Sequence, residues 1–442
     1  MTPDSPLPLD RLEENFVDAK PTYSPGDAVA EADRCLYCHD APCVTACPTG
    51  IDIPVFIRKI GTGNLKGSAK AILSANLLGY SCARVCPVEV LCAGACVYNE
   101  WHRTPIAIGR LQRFAVETLF ESGAAGALFT KAPANGKHVA CIGAGPASLA
   151  CAGYLALEGF TATVYEKRAL PGGLNTSGVA PYKMDVAGGL AEVAFIRSLG
   201  VDIRTGVEVG RDVTLDALAR DHDAIFIGIG LGSDSALGVP GEEGAGVTGA
   251  VAWIERLKLE PDLAIAGVTR AVVIGGGNTA IDAARELAQL GIAEVSMLYR
   301  RTESEMSGYA HELHHARAEG VKLIERAQPS RFERDAAGAL TGVTLADGRT
   351  LACELAVVAI GQTRLRELVA QLPGVAVDAK GVIRADAQTG ATGHGKVFAG
   401  GDATGGELVV TAAQDGKRAA RGIAQALGIE LRADSPMRAG HD

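Results

Sequence analysis

The amino-acid sequence predicts an α/β chain: a helical, cysteine-rich N-terminal region followed by two doubly wound nucleotide-binding units. Three observations carry that prediction. A strand–glycine turn–helix–strand pattern starting at His138 recurs about 130 residues later, at Ala271. Eight of the 11 cysteines lie between Cys35 and Cys96. Glycine makes up 55 of 442 residues, against a usual ~7%, and without a collagen-like period that excess belongs in tight turns and backbone–ligand contacts.

The bulk composition narrows the field. With 48% hydrophobic and 21% charged residues the chain is globular, and its length fits two or three domains. A net charge of −9 and only 5% aromatics argue against nucleic acid, anionic membrane or a stacking surface as partner. No run approaches the ~20 apolar residues that span a bilayer, and the N-terminus lacks a signal peptide's basic start and apolar core. A cytoplasmic protein is expected, and in a reducing cytosol clustered thiols are metal ligands before they are disulfides.

In chain order, apolar spacing predicts helices over 55–60, 68–78 and 108–120, with cysteine loops between them. A small-residue linker spans 123–136. Strand 138–142, helix 146–158 and strand 161–165 form the first unit; 271–274, 278–290 and 294–299 form the second. Further buried strands are expected at 224–229, 355–360 and 396–399, and a closing helix at 409–427.

The first turn reads Gly143-Ala144-Gly145-Pro146-Ala147-Ser148. Its first glycine permits the turn, and its second lets a pyrophosphate approach the backbone at a helix N-terminus. Glu166, 23 residues beyond Gly143, ends the second strand, where a carboxylate accepts ribose hydroxyls. Ser148 stands where a third glycine is usual. The second turn is Gly275-Gly276-Gly277-Asn278-Thr279-Ala280, and its second strand ends in Arg300 and Arg301. Guanidinium groups there suit a 2′-phosphate and point towards NADPH; a solvated basic corner is the alternative. Asp402 ends a third element just before the closing helix. A carboxylate there suits a flavin's ribityl chain, and with the first turn it makes FAD the expected occupant.

The cysteines follow the pattern Cys35-x2-Cys38-x4-Cys43-x3-Cys47-Pro48, then Cys82-x3-Cys86-Pro87-x4-Cys92-x3-Cys96. The first run resembles the bacterial ferredoxin pattern loosened by two residues, and eight thiols match two four-iron clusters. Zinc is the competitor. His311-Glu312-Leu313-His314-His315 matches a zinc-protease pattern but is read as a solvated helix face. Cys141, Cys151 and Cys353 are read as small core residues.

This order of parts resembles the module shared by dihydropyrimidine dehydrogenase and the glutamate synthase small subunit, over essentially the whole chain. Cys86-x5-Cys92-x3-Cys96, the run from Pro105 to Phe114, and Gly172-Gly173-Leu174-Asn175 before Tyr182-Lys183 look like dihydropyrimidine dehydrogenase of the bacterial two-subunit type. The resemblance implies an iron–sulfur domain at 1–125, an FAD domain at 131–240 and 363–442, and an NAD(P) domain inserted at 241–362. It implies one [4Fe-4S] cluster on Cys35, Cys38, Cys43 and Cys96. A second would use Cys47, Cys86, Cys92 and Gln112, which leaves Cys82 as a spare thiol. FAD would meet Gly143, Ala144, Gly145, Pro146, Ala147, Glu166, Gly173, Leu174, Lys183 and Asp402. The nicotinamide nucleotide would meet Gly276, Gly277, Asn278, Thr279, Arg300 and Arg301. Ser307 replaces an arginine of NADPH-specific relatives, so NADH and NADPH both stay open. The implied function is an electron-input subunit that takes hydride from NAD(P)H onto FAD. Single electrons would pass through two [4Fe-4S] clusters to an FMN and iron–sulfur partner subunit that reduces uracil or thymine. No FMN barrel is visible in this chain. The rivals are a glutamate synthase small subunit or a related ferredoxin-linked flavoprotein, and, from another class, a zinc-stabilised nucleotide-binding interaction protein without turnover.

Overall fold

The structure, a computed structural model, describes residues 7–441 except 262, 264 and 373. Among these residues no strand precedes His138, and no helix is long and apolar enough to cross a membrane. The N-terminal region is built on helices Ile53–Gly61, Leu65–Ala75, Gly79–Val85 and Ile108–Glu121. Phe56, Ile57, Ile60, Ile72, Leu73, Leu111 and Ala115 are fully buried among them. The helix expected at 68–78 starts earlier because the Asn64 side chain caps it, accepting from Gly67 N at 2.9 Å. It stops at Ala75 because Asn76 is extended and its Oδ1 accepts from Leu78 N at 3.0 Å.

Two five-stranded parallel sheets follow. One runs in the spatial order Val397–Ala399, Ala224–Ile227, His138–Ile142, Thr161–Glu166, Asp202–Thr205. The other runs Val247–Gly249, Leu355–Val358, Arg270–Ile274, Glu294–Leu298, Lys322–Ile324. Beyond their exposed first residues, His138 and Arg270, the central strands are apolar and buried, as strands covered on both faces must be. All strands of the second sheet lie between two of the first in the sequence, so the second unit is inserted in the first. An antiparallel sheet that sequence patterning missed, Pro329–Arg334, Leu340–Leu345 and Thr350–Ala352, packs Phe332, Val343 and Leu345 against Ile274 and Val358. The closing helix Val409–Ala426 lies along helix Pro146–Leu157; a Cβ at Gly416 would strike the Ala147 carbonyl oxygen, so only glycine allows the approach.

An N-terminal strap ties the three units together. Arg11 Nη1 donates to Lys258 O at 2.8 Å, and Leu12 and Phe16 pack on the second unit's core. Glu13 accepts from Val186 N at 2.9 Å, and Ala19 N donates to Tyr182 O at 2.9 Å in the first unit. Arg113 Nη1, in the cysteine-rich region, donates to Asp18 Oδ1 at 2.9 Å.

Candidate functional site

The first glycine turn is built from strand ends. Gly143 has φ +85°, and a Cβ there would lie 2.7 Å from Gly228 O. Glu166, 7% exposed, accepts from Ala144 N at 2.7 Å and from Arg168 N at 2.8 Å. Its carboxylate is therefore fixed beneath the turn with lone pairs to spare. Gly145 precedes Pro146 at the N-terminus of the helix, where free N–H groups favour an anion. Gly173 has φ +58°, and its missing Cβ would fall 2.8 Å from Gly145 Cα, which brings Leu174 beside the same turn. Gly401 approaches Ala147, with 3.0 Å from its missing Cβ to the Ala147 Cβ, and places Asp402 there as well. Burial pushes the Asp402 carboxyl up to about 6; Arg364 opposes that and Asp415 and Glu407 add to it. Gly143, Ala144, Gly145, Pro146, Ala147, Glu166, Gly173, Leu174 and Asp402 thus converge. A dinucleotide's phosphates and sugar hydroxyls match that set: free N–H groups for the former, two carboxylates for the latter.

Lys183 stands apart from that turn. Its Nζ lies 2.7 Å from Asp282 and 2.9 Å from Glu312, both in the inserted unit. Burial works against its charge, but the two carboxylates outweigh it and hold its pKa up. Tyr182 donates its hydroxyl to Asp282 at 2.6 Å, and Arg285 pairs with Glu312 at 2.8 Å and Glu319 at 2.9 Å. A cavity of about 350 Å³ opens here, walled by Cys86 of the N-terminal region, Lys183 and Leu408 of the first unit, and Asn278, Asp282 and Tyr309 of the second.

Asp282, Tyr309 and Glu312 were absent from the sequence-derived set. Asp282 had a signal, one helical turn after Asn278; Glu312 was hidden inside the histidine-rich motif. That motif is not the solvated face expected. His314 and His315 are exposed, but Glu312 is partly buried in the ion-pair network and His311 lies 3.5 Å from Glu89. Helix periodicity turns His314 away from Glu312, two residues before it, while His315, one turn from His311 and Glu312, edges the same cavity as they do. Cys141, Cys151 and Cys353 are fully buried, as core residues should be.

The second turn buries Gly275 and Gly276 but has an exposed edge. Gly275 has φ +152°, and a Cβ at Gly276 would strike the Tyr299 ring. Gly277 precedes helix Asn278–Gln289, and Asn278 Oδ1 accepts from Tyr309 N at 2.9 Å. Thr279, Arg300 and Arg301 are exposed. Arg301 lies 3.8 Å from Glu305, while Arg300 makes no ion pair among the described residues. A third arginine, Arg326, joins this edge: its N donates to Arg301 O at 3.0 Å. Arg326 follows the neighbouring strand, a placement that sequence spacing alone could not supply. Ser307 Oγ would sit 3.5 Å from a Cβ at Gly277.

The cysteines form two groups. Cys35, Cys38, Cys43 and Cys96 line one opening together with Ile57 and Tyr98. Burial pushes Cys43 up to about 12, with the facing Cys35 and Cys96 thiols adding to it. In the second group, burial pushes Cys92 up to about 12 and Cys47 contributes; Cys86 is raised by a hydrogen bond with Cys82, then by burial, Cys92 and Cys47. Gln112, 7% exposed, donates Nε2–H to Gly79 O at 2.8 Å, and its Oε1 accepts no hydrogen bond among the described residues. Zinc would gather four thiolates ~2.3 Å from one point. Among the described residues no three His, Cys, Asp or Glu side chains are placed to hold one ion. Thiols grouped around an opening supply the donors that a multi-iron cluster needs.

Comparison with known proteins agrees with this geometry. Residues 12–124 match the family model described as dihydropyrimidine dehydrogenase domain II, 4Fe-4S cluster. Residues 137–416 match that of pyridine nucleotide-disulphide oxidoreductase. The chain is 36% identical over 414 residues to the NAD-dependent dihydropyrimidine dehydrogenase subunit PreT of Escherichia coli (strain K12), covering 93% of this chain and 97% of that one. It is 33% identical over 456 residues to the glutamate synthase [NADPH] small chain of the same organism, covering 95% of each. Among solved structures it resembles thioredoxin reductase of T. acidophilum, with TM-score 0.53, 23% identity and coverage of 65% of this chain and 97% of that one. That last likeness concerns the fold.

Proposed function

The chain belongs to the pyridine nucleotide-disulphide oxidoreductase family, as an NAD(P)-dependent flavin iron–sulfur oxidoreductase, and from that premise we propose that it is the electron-input subunit of a pyrimidine-reducing enzyme. Bound together, the nicotinamide, flavin and clusters supply conversion of a hydride's paired electrons into single ones. The protein's residues position and tune those groups. The flavin unit is 131–240 with 363–442, and the inserted nicotinamide unit is 241–362. Glu166 and Asp402 hold the flavin's ribose and ribityl hydroxyls, while the turn from Gly143 to Ala147 receives its pyrophosphate. Gly276, Gly277, Asn278 and Thr279 receive the nicotinamide nucleotide, with Arg300 and Arg301 at its ribose edge. Cys35, Cys38, Cys43 and Cys96 hold one cluster; Cys47, Cys86, Cys92 and Gln112 hold a second. Lys183 and its two carboxylates align the nucleotide units across the cavity.

The observation that carries this reading is the shared cavity. One wall comes from each unit, and Cys86 forms part of the N-terminal wall. A nicotinamide nucleotide held at the second turn would reach this cavity through Asn278, which lines it together with Cys86. The relatives named as subunits support a hetero-oligomer, and the partner we infer is an FMN and iron–sulfur protein of the cytoplasm that reduces uracil or thymine.

The isolated chain should reduce an artificial electron acceptor with NADH or NADPH and leave uracil untouched. Adding the FMN-containing partner should restore uracil reduction, and deleting the Cys35–Cys96 region should abolish coupling while largely sparing the dye reaction. Uracil reduction by the chain alone, or coupling without that region, would overturn the proposal. The likeness to a glutamate synthase small chain along 95% of both sequences favours a second reading. It predicts coupling to a large, glutaminase-bearing partner in place of the FMN protein.

A further inference from the structure

One contact between the units has no part in the reading above. Helix Gly79–Val85 of the cysteine-rich region runs into Cys86, and its N-cap residue, Leu78, has no side-chain oxygen to cap it. Glu192 does so from helix Val186–Ser198 of the first unit. Its carboxylate accepts from Tyr80 N at 3.1 Å, from Ser81 N at 3.0 Å and from the Ser81 hydroxyl. Glu192 is 2% exposed and Ser81 fully buried, so losing this acceptor would strand two backbone donors away from water. One turn further along the same helix, Phe195 packs on Phe120 at 5.4 Å, and Phe120 stacks on Tyr80 at 5.1 Å. Polar and aromatic contacts thus hold one end of the short helix to the first unit. Its other end delivers Cys86 to the shared cavity. Gln112 also donates to Gly79 O at 2.8 Å. Whichever of Cys82 and Gln112 completes the second cluster, its place follows this helix.

We propose that Glu192 is a positioning residue that fixes the second cluster against the flavin unit and so sets the rate at which electrons pass from flavin to cluster. This rests on the reading that the first unit holds the flavin and that Cys86 is a cluster ligand. Each transfer oxidises the reduced flavin by one electron and reduces the cluster by one; Glu192 acts only through position. Electron tunnelling falls steeply with separation, so a small tilt of the helix changes that rate and leaves the hydride step alone. A cap reaching over from the flavin unit ties the donor and acceptor scaffolds at one buried point, which a cap from within the helix could not do.

Full-length protein carrying Glu192→Ala, Glu192→Asp or Glu192→Gln tests this. Flavin and iron contents and redox potentials are measured first. Each protein is then mixed rapidly with NADH or NADPH while flavin bleaching and cluster reduction are followed separately. In Glu192→Ala the flavin should be reduced at the wild-type rate. Cluster reduction should slow about tenfold, the factor that one stranded buried donor is worth, at unchanged potentials. Glu192→Gln keeps the acceptor oxygen and the reach and should run close to wild type; Glu192→Asp falls one methylene short and should lie between. Wild-type cluster reduction in a fully loaded Glu192→Ala protein would overturn the proposal, as would a slowing matched by a shifted potential. If Glu192→Ala fails to load flavin or iron, Glu192→Asp decides, and wild-type cluster reduction there would overturn it. A wild-type protein whose reduced flavin passes no electron to a cluster would instead overturn the reading on which the proposal rests.

Discussion

Gly143 and Gly275 both turn the chain at positive φ after a parallel strand, yet the neighbouring strands end in opposite chemistry. Beside the first turn Glu166 is buried and fixed by two backbone N–H groups. Beside the second, Arg300 and Arg301 are exposed on a loose basic edge. Similar loops can thus serve a resident group or a visiting one, and the difference lies in what surrounds them. The first turn is further closed by Gly173, Gly401 and the helix Val409–Ala426; the second borders solvent and the shared cavity.

The largest break in this contrast should come from Glu166→Leu. It strips the acceptor from two backbone donors, each costing about 1–3 kcal/mol when buried and unsatisfied, besides the ribose contacts. Bound flavin after gel filtration should fall at least ~100-fold in affinity terms, with iron retained. Flavin near wild-type levels would show that the closed turn holds something else.

Asp402 sharpens the same side through pH. Its carboxyl titrates near 6 in the folded chain against an ordinary 3.8. The folded state therefore binds the extra proton between those values, and stability of the flavin-free protein should fall as pH rises from about 4 through 6, by roughly 2–3 kcal/mol. Asp402→Asn should flatten that part of the profile and raise the melting temperature at pH 7; an unchanged slope in urea titrations across pH 4–7 would contradict it.

On the open side, replacing Arg300 and Arg301 together by alanine should weaken NADPH by about 10–100-fold, roughly 1.5–3 kcal/mol of charge-assisted contact, and NADH by much less. Equal losses in initial-rate measurements would assign the arginines to the pyrophosphate or to the surface. The smallest effect belongs to Ser307→Arg, which adds a guanidinium beside Gly277. The ratio of NADPH to NADH efficiency should rise about threefold to tenfold, the scale of one exposed ion pair; a falling ratio would place the phosphate elsewhere.

What the sequence revealed follows a physical divide. The glycine turns, Glu166 and the two cysteine runs were legible because each depends on local geometry: positive φ, a strand end, a ligand loop. Grouping Cys96 with Cys35, Cys38 and Cys43 needed the family resemblance, because the loops that join them are irregular. Lys183 entered through the family resemblance, and its ion-pair partners were not legible in the sequence. Its partners, Asp282 and Glu312, lie 99 and 129 residues further on, and no periodicity encodes such a meeting. The antiparallel sheet 329–352 was missed for a related reason: its strands are short and mix apolar residues with charged ones in Pro329–Arg334 and with threonine and glycine in the other two. The strap at 11–20 carries no repeating pattern, and only its contacts disclose it.

The placement of Val397–Ala399 in the first sheet has a consequence for how the protein is made. Its partner strand, Ala224–Ile227, is synthesised some 170 residues earlier and must wait with one edge unpaired. The inserted unit, whose sheet ends at Val358, has all its strands in hand before then and can condense on the ribosome first. Asp402 emerges only after that strand. The pocket at the first turn, where we propose the flavin binds, is therefore the last nucleotide site to mature, and a chain stalled before residue 397 would present a finished inserted unit beside a sticky, half-built sheet that invites chaperones or aggregation.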